Sequence, residues 1–233
     1  MDLKEEESRC ERCIVRKLNA FRNVDKETLS KISDVKQIKS IKKGDNIFEE
    51  GQNLDGIYCV KKGNSKLFKM NENGKDQIVR IVSKGELLGQ RSILANEPTN
   101  LNARAINDME VCFVPKSHLS ELHQNKGYIE ESLIHLAEEL KKSNNKTIDM
   151  AQKSVKQRIA KTILHLDNYG CDDKGYIKLV LSREEISSVV GTAKESCIRA
   201  LSLMKKDNLI SFSGKKIKIL NREKLQQISD PHL

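Results

Sequence analysis

Residues 182–204 run Ser182-Arg183-Glu184-Glu185-Ile186-Ser187-Ser188-Val189-Val190-Gly191-Thr192-Ala193-Lys194-Glu195-Ser196-Cys197-Ile198-Arg199-Ala200-Leu201-Ser202-Leu203-Met204. Ser182 with Glu185 three residues on has the form of a capping box, a hydroxyl and a carboxylate that satisfy the open N–H groups of a helix start. The helix it opens has Ile186, Val189 and Val190 as its inner face. Gly191 supplies a tight turn, since glycine takes left-handed backbone at no steric cost. Thr192 with Glu195 repeats the capping pattern and predicts a second helix that buries Ala193, Cys197, Ala200, Leu201 and Met204. Two capped helices joined through a glycine turn make a helix-turn-helix. The second helix leaves Lys194, Glu195, Ile198, Arg199 and Ser202 outside. Arginine or lysine can donate to guanine O6 and N7, and glutamate can accept from cytosine N4, so this face suits a major groove. The bland alternative is the wet face of an ordinary helix pair.

Working outward, Leu209 to Phe212 and Ile217 to Leu220 flank Ser213-Gly214-Lys215-Lys216, a predicted hairpin whose two lysines can reach phosphates. On the other side, Val155, Ile159, Ile163 and Leu166 form one apolar stripe of a helix. A Gly/Asp-rich loop, 169–175, follows, and then a predicted strand over Ile177 to Leu181.

Further back, Ile129, Leu133, Leu136 and Leu140 recur in steps of four, three and four, the seam of a short coiled coil. The pattern runs on to Ile148 and Ala151. The flanks Glu130, Glu131, Glu138, Glu139, Lys141 and Lys142 are charged, which favours a two-chain interface over packing on the chain's own sheet.

Residues 38–114 have a different texture. Short β-prone runs alternate with glycines: Ile47-Phe48, Gly51, Gly56 to Val60, Gly63, Leu67-Phe68, Ile78 to Val82, Gly85 and Gly89. Such spacing predicts an antiparallel sandwich or barrel. Asn73-Gly74 is placed to turn a hairpin between Leu67–Met70 and Ile78–Val82, and Met109 to Val114 is a closing strand stopped by Pro115. Before it, a short helical stretch holds Leu18 and Phe21, and Leu29, Ile32 and Val35 mark a helix over Lys26 to Val35.

The chain of 233 residues carries 42 Lys and Arg against 33 Asp and Glu, a net of +9. Residues 151–233 hold 16 of those cations and 9 of the acids, a net of +7, so the excess sits in the last third, as expected for a phosphate-binding unit. No apolar run of 18 residues exists, and the acidic start Asp2-Leu3-Lys4-Glu5-Glu6-Glu7 lacks the apolar stretch of a secretory signal. Six scattered cysteines suit a reducing compartment. Together these predict a cytoplasmic protein without a membrane segment.

With these motifs in order, the chain resembles the Crp/Fnr superfamily of bacterial transcription regulators, closer to the Fnr-like branch than to the cyclic-AMP-binding members. The resemblance rests on Lys43-Gly44-Asp45-Asn46-Ile47-Phe48-Glu49-Glu50-Gly51, Asp55-Gly56-Ile57-Tyr58 and Val60-Lys61-Lys62-Gly63, followed by the long helix and the helix-turn-helix. It implies an α+β fold: an N-terminal antiparallel β-roll (a jelly roll like a cyclic-nucleotide-binding domain), a long dimerisation helix and a C-terminal winged helix-turn-helix. The expected divisions are a cysteine-containing segment over 1–25, the β-roll over 26–122, dimerisation helix and hinge over 123–153, and the DNA-binding domain over 154–233. The implied function is a homodimeric, sequence-specific DNA-binding regulator. Its expected DNA-facing residues are Thr192, Lys194, Glu195, Ile198, Arg199, Ser202, Lys215 and Lys216. Implied partners are double-stranded DNA with a near-palindromic operator, a second copy of the chain and RNA polymerase. The alternatives are a ligand-binding β-roll module without specific DNA binding, and a constitutively active regulator with a degenerate sensor.

Catabolite-type members bind cyclic AMP through a glutamate after Gly-x-x-x-Gly and a later Arg-Ser pair. Here Gly85 to Gly89 is followed by Gln90, and the later stretch is Thr99-Asn100-Leu101-Asn102, so cyclic AMP is disfavoured unless Arg91 or Arg104 points into the roll. Oxygen-sensing members hold an iron–sulfur cluster on four cysteines. Cys10, Cys13 and Cys112 match three of them, and Asn19 stands where another belongs. A cluster, a merely structural set of thiols, and a thiol switch between Cys10 and Cys13 stay open. Cys59, Cys171 and Cys197 are expected to be packing residues. The histidines (His118, His123, His135, His165, His232) lack the pairing of a β-roll metalloenzyme, and no glycine-rich nucleotide loop or nucleophile elbow is present, so no enzyme is expected.

Overall fold

The structure is a computed structural model that describes residues 9–72 and 74–230. The acidic start, Asn73 and His232 lie outside the described residues. The chain forms two compact units: Met1–Lys69 with Val79–Lys141, and Met70–Ile78 with Lys142–Leu233.

In the first unit a 3-10 turn, Ile14–Leu18, precedes helix α1 (Lys26–Val35). The short helical stretch expected around Leu18 and Phe21 is thus one 3-10 turn, with Leu18 exposed and Phe21 in the core. Asp25 caps α1 by accepting from the Thr28 N–H at 2.9 Å. The roll consists of β1 (Gln37–Ile41), β2 (Asn46–Phe48), β3 (Gly56–Lys62), β4 (Ser65–Met70), β5 (Asp76–Val82), β6 (Leu87–Leu88), β7 (Asn102–Ala105) and β8 (Met109–Pro115), with α2 (Gln90–Ala95) between β6 and β7. Two four-stranded sheets result, in the orders β1-β8-β3-β6 and β2-β7-β4-β5. Their core holds Phe48, Ile57, Val60, Val82, Leu88, Val111 and Val114. Gly56 permits the β3–β8 approach: a Cβ there would stand 2.2 Å from the Val114 carbonyl oxygen. Pro115 is the last residue of β8 rather than a stop before its end.

After α3 (Leu119–Gln124) the chain enters α4, Lys126–Gln152, 27 residues long. Its first turns lie on the chain's own roll, with Tyr128 and Ser132 buried and Ile129 packed against the core. Ile129 therefore leaves the expected seam. Glu131, expected to be wet, is only 4% exposed. It faces the N-terminal segment, where its Oε1 accepts from Arg22 Nη2 and from Asn23 Nδ2, each at 2.6 Å. Beyond this point Leu133, Ile134, Leu136, Leu140, Ile148 and Met150 are all exposed, so among the described residues the rest of the apolar stripe is largely uncovered.

The second unit contains α5 (Val155–Asp167), α6 (Arg183–Val190), α7 (Lys194–Lys206), β9 (Ile210–Ser213), β10 (Lys216–Ile219) and α8 (Arg222–Ser229). Ser154 and Gln157 form a full capping box at the start of α5, and Ile159, Ala160, Ile163 and Leu166 are its buried face. The strand expected over Ile177–Leu181 does not form. Ile177, Leu179 and Leu181 are buried in alternation, yet the segment has only an isolated bridge, Cys171 with Ile177, and a bond from the Ile177 N–H to the Ile217 carbonyl at 2.8 Å. Period-two burial arose without a ladder, because a single backbone bond to β10 does not make a paired strand. Helix α8, absent from the sequence reading, packs against α5 and buries Leu225.

Candidate functional site

Ser182 Oγ accepts from the Glu185 N–H at 3.1 Å, and the Ser182 N–H donates to Glu185 Oε2 at 2.9 Å, the full reciprocal box. Helix α6 ends at Gly191, whose φ of +69° is the left-handed turn expected there. Arg158, which the sequence reading passed over, holds this turn. Its Nε donates to the Val190 carbonyl at 3.0 Å and its Nη2 to the Gly191 carbonyl at 3.3 Å. Its Nη1 reaches the Lys153 carbonyl at 2.6 Å and the Met150 carbonyl at 3.3 Å, just past and within the end of α4. One planar fork thus serves carbonyls left open at two helix ends.

The second capping box does not form. The N-cap of α7 is Ala193, exposed and with no side-chain acceptor, one residue later than predicted. Thr192 sits in the turn and donates its N–H to the Ser187 carbonyl at 3.1 Å. Ala193 is accordingly not a core residue, while Cys197, Leu201 and Met204 are. Lys194, Glu195, Ile198, Arg199 and Ser202 are all exposed, as the periodicity required. The last four follow i, i+3, i+4, i+7 spacing and share one face. Lys194 Nζ lies 3.4 Å from Glu184 Oε2, both exposed, a pair worth about 0–1 kcal/mol that any stronger anion can break. Arg199 Nη2 donates to Ser196 Oγ, at 3.2 Å.

The wing is the antiparallel pair β9–β10 in register Ser213 with Lys216, turned by Gly214 and Lys215. Lys215 is exposed at the tip. Lys216 is bound to Asp172 Oδ2 at 2.7 Å, so the two expected phosphate contacts differ in freedom. Phe212 of β9 carries the Arg183 guanidinium over its ring, 4.1 Å from the centroid, and burial lowers the pKa of that arginine.

In the roll, the two arginines that could meet a cyclic phosphate are engaged elsewhere. Arg91 pairs with Glu97 at 2.5 Å, and Arg104 donates to Asn46 Oδ1 at 2.8 Å while lying over the Phe68 ring. Gln90 donates to Ser132 Oγ of α4 at 3.0 Å, and Thr99 donates to the Glu49 carbonyl at 2.6 Å.

The thiols fall into two groups. Cys171 is exposed, against the expectation of packing, and Cys197 is buried in the helical unit. Of the other four, Cys59 and Cys112 face each other midway along β3 and β8, and Cys10 and Cys13 lie in the N-terminal segment. The Cys13 N–H donates to the Cys10 carbonyl at 3.2 Å, which closes a turn between them. The Cys10 N–H is anchored on Ser33 Oγ at 2.7 Å, and Lys36 Nζ donates to Cys10 Sγ at 3.4 Å. Burial pushes the Cys59 thiol up to about 12, and Cys112, Cys13 and Cys10 push it the same way. Cys112 is raised by burial, with Lys36 and Lys61 opposing. Asn19 is buried; its Nδ2 donates to the Gly85 carbonyl at 2.8 Å and to Cys59 Sγ at 3.3 Å. All four thiols are free. Among the described residues no three His, Cys, Asp or Glu side chains close tightly enough to hold a single metal ion. A multi-iron cluster holds its thiolates farther apart than one ion does, and soft anionic sulfur is the donor it needs. The donor chemistry fits such a cluster.

Comparison with known proteins follows the same division. Residues 38–126 match the family described as cyclic nucleotide-binding domain, and residues 157–228 match the Crp-like helix-turn-helix domain. The chain is 30% identical over 176 residues to the anaerobic regulatory protein of Bacillus subtilis, covering 72% of this chain and 74% of that one. It is 24% identical over 226 residues to the fumarate and nitrate reduction regulatory protein of Vibrio cholerae, covering 94% and 90%. The structure of FixK2 from Bradyrhizobium japonicum superposes with a TM-score of 0.73 at 26% identity, covering 83% of this chain and 97% of that one. The two matched domains fall on the roll and on the helical unit in that order, and the chain belongs to the Crp/Fnr superfamily of transcription regulators.

Proposed function

We propose that this regulator acts in the cytoplasm as a homodimer, seats α7 of each protomer in successive major grooves of a near-palindromic operator, and takes a redox input through its roll. The observation that carries the reading is the exposed face of α7. Glu195, Ile198, Arg199 and Ser202 stand on one side of a helix whose other side is core, with Lys194 beside them. In this reading Arg199 and Lys194 donate to guanine, Glu195 accepts from cytosine, Ile198 makes apolar contact and Ser202 and Thr192 position the helix. Lys194 presents a point charge where an arginine would grip bidentately. Lys215 meets phosphate at the wing tip, and Lys216 does so after leaving Asp172.

The exposed stripe from Leu133 to Ile148 supplies the dimer contact, with residues 123–153 as dimerisation helix and hinge and 154–233 as the DNA-binding domain. RNA polymerase is the partner through which a bound dimer changes transcription. The engagement of Arg91 and Arg104 supports an input other than a cyclic nucleotide. Cys10, Cys13 and Cys112 would hold an iron–sulfur cluster, which when bound supplies an oxidation-sensitive group. The chain's own part is to present thiolates, to place the Lys36 cation beside Cys10 and to bury Cys112 from solvent.

The reading is tested by selecting random duplexes on the anaerobically purified protein and footprinting the winners. Two half-sites about one helical turn apart, protected symmetrically, are expected. Binding that selects no sequence, or protects one half-site from a monomer, would overturn it.

A further inference from the structure

We infer that Cys59 is the missing thiolate: with Cys10, Cys13 and Cys112 it completes a four-sulfur cluster site, standing in for the cysteine that position 19 lacks. The inference rests on the cluster reading above and names its remaining ligand.

Three observations converge on Cys59. It is the register partner of Cys112 across β3 and β8, and directly opposed residues on one face have Cβ atoms about 4.5–5.5 Å apart. The two sulfurs therefore leave the same side of the sheet. Cys10 and Cys59 both pack against the core of the roll, and the Cys13 N–H to Cys10 carbonyl bond holds the two N-terminal cysteines in one turn. The third observation is Asn19 itself. Its amide nitrogen lies 3.3 Å from Cys59 Sγ, so a donor at position 19 and the Cys59 sulfur meet at one point. Where position 19 offers no thiolate, a thiol from the sheet lies within reach of the same place.

The chemistry of the surroundings agrees. Ligation would release the thiol protons to solvent and leave buried negative charge. Asn19 Nδ2 and Lys36 Nζ both donate to sulfur, on Cys59 and Cys10, and hydrogen bonds to ligand sulfurs are a recognised means of stabilising and tuning such clusters. A cysteine kept only for packing needs neither an amide donor nor three further thiols around it.

The test uses the full chain, reconstituted anaerobically with ferrous iron and sulfide, with iron and sulfide per protomer and visible absorption as readouts. Cys59→Ser and Cys112→Ser are each expected to lose bound iron and absorption at least about tenfold. Asn19→Cys combined with Cys59→Ser is expected to recover both, because a thiol returns to the same point. Cys59→Ser loaded like the unchanged protein would overturn the assignment and leave the cluster reading standing. Unchanged protein that takes up neither iron nor sulfide would remove the cluster reading, and this inference with it. If Cys59→Ser does not fold, the double variant decides: folded and loaded supports the inference, folded and iron-free overturns it.

Discussion

Arg158 Nε donates to the Val190 carbonyl at 3.0 Å, at the last residue of the helix that precedes the turn into α7. The same guanidinium donates to the Gly191, Lys153 and Met150 carbonyls, so the end of the long helix and the turn into α7 share one side chain. A fork with five donors can do this; an ammonium cannot reach both ends at once. Arg158→Ala is expected to lower the stability of the C-terminal unit by about 2–3 kcal/mol, since four carbonyls lose a charged donor. Arg158→Lys should recover less than half of the loss. Urea midpoints with an unchanged slope measure the cost. A variant as stable as the parent would show that water replaces the guanidinium without penalty.

The bare stripe of α4 gives the second expectation. Leu133 is 61% and Leu140 63% exposed within one protomer. Withdrawing a leucine from water is worth about 1.5–3 kcal/mol, and a two-fold interface counts each substitution twice. Leu140→Ala should therefore weaken dimerisation by about a hundredfold or more, with operator affinity falling in parallel. Sedimentation velocity across a dilution series is the measurement. An unaltered dissociation constant would mean that the dimer, if formed, uses another face.

On the DNA side, Arg199 and Lys215 should behave differently. Arg199→Ala is expected to cost about 1–3 kcal/mol on the preferred operator and to relax one base position, because a base-edge donor carries sequence information. Lys215→Ala is expected to weaken all duplexes alike and to reduce the salt slope by about one. Lys216→Ala should have a smaller effect than Lys215→Ala, since Lys216 must first leave Asp172. Binding isotherms at several salt concentrations, on matched and mutated operators, separate these cases. A uniform effect for Arg199 with a selective one for Lys215 would exchange their roles.

What could be read in the sequence was what neighbouring residues decide. The Ser182–Glu185 box, the Gly191 turn and the outward face of α7 all depend on spacings of three or four along one helix, and the structure has them. The Thr192–Glu195 pattern had the same form but failed, because the turn took Thr192 and moved the helix start to Ala193. Ile177 to Leu181 shows the other limit: alternation told which side chains were buried and misled about what covers them. Glu131 looked wet beside other acids, and only the return of the N-terminal segment supplied Arg22 and Asn23 as its donors. Arg158 and Cys59 were missed for one reason. Their partners lie 32 and 53 residues away, at Val190 and Cys112, and no local pattern announces a contact at that range.

Glu11, between the two N-terminal thiols, yields a prediction in pH. Burial alone would raise its carboxyl, but the Ser33 hydroxyl at 2.6 Å, its own backbone N–H and Arg9 outweigh that and hold it at about 2, against 4.5 for the free group. Ser33 also receives the Cys10 N–H, so the carboxylate anchors the turn that presents Cys10 and Cys13. A pKa lower in the folded state means the folded form favours the ionised group. Its stabilisation is complete above about pH 4.5 and is lost as pH falls toward 2. Amide exchange protection of residues 9–13, corrected for intrinsic rates, should therefore decline as the protein is taken from about pH 6 to 3. Glu11→Gln should show low protection throughout, with little dependence on pH, and reduced iron uptake at neutral pH because the thiol turn is loosened. Equal protection in parent and variant at pH 6 would show that Arg9 and the backbone hold the turn without the carboxylate.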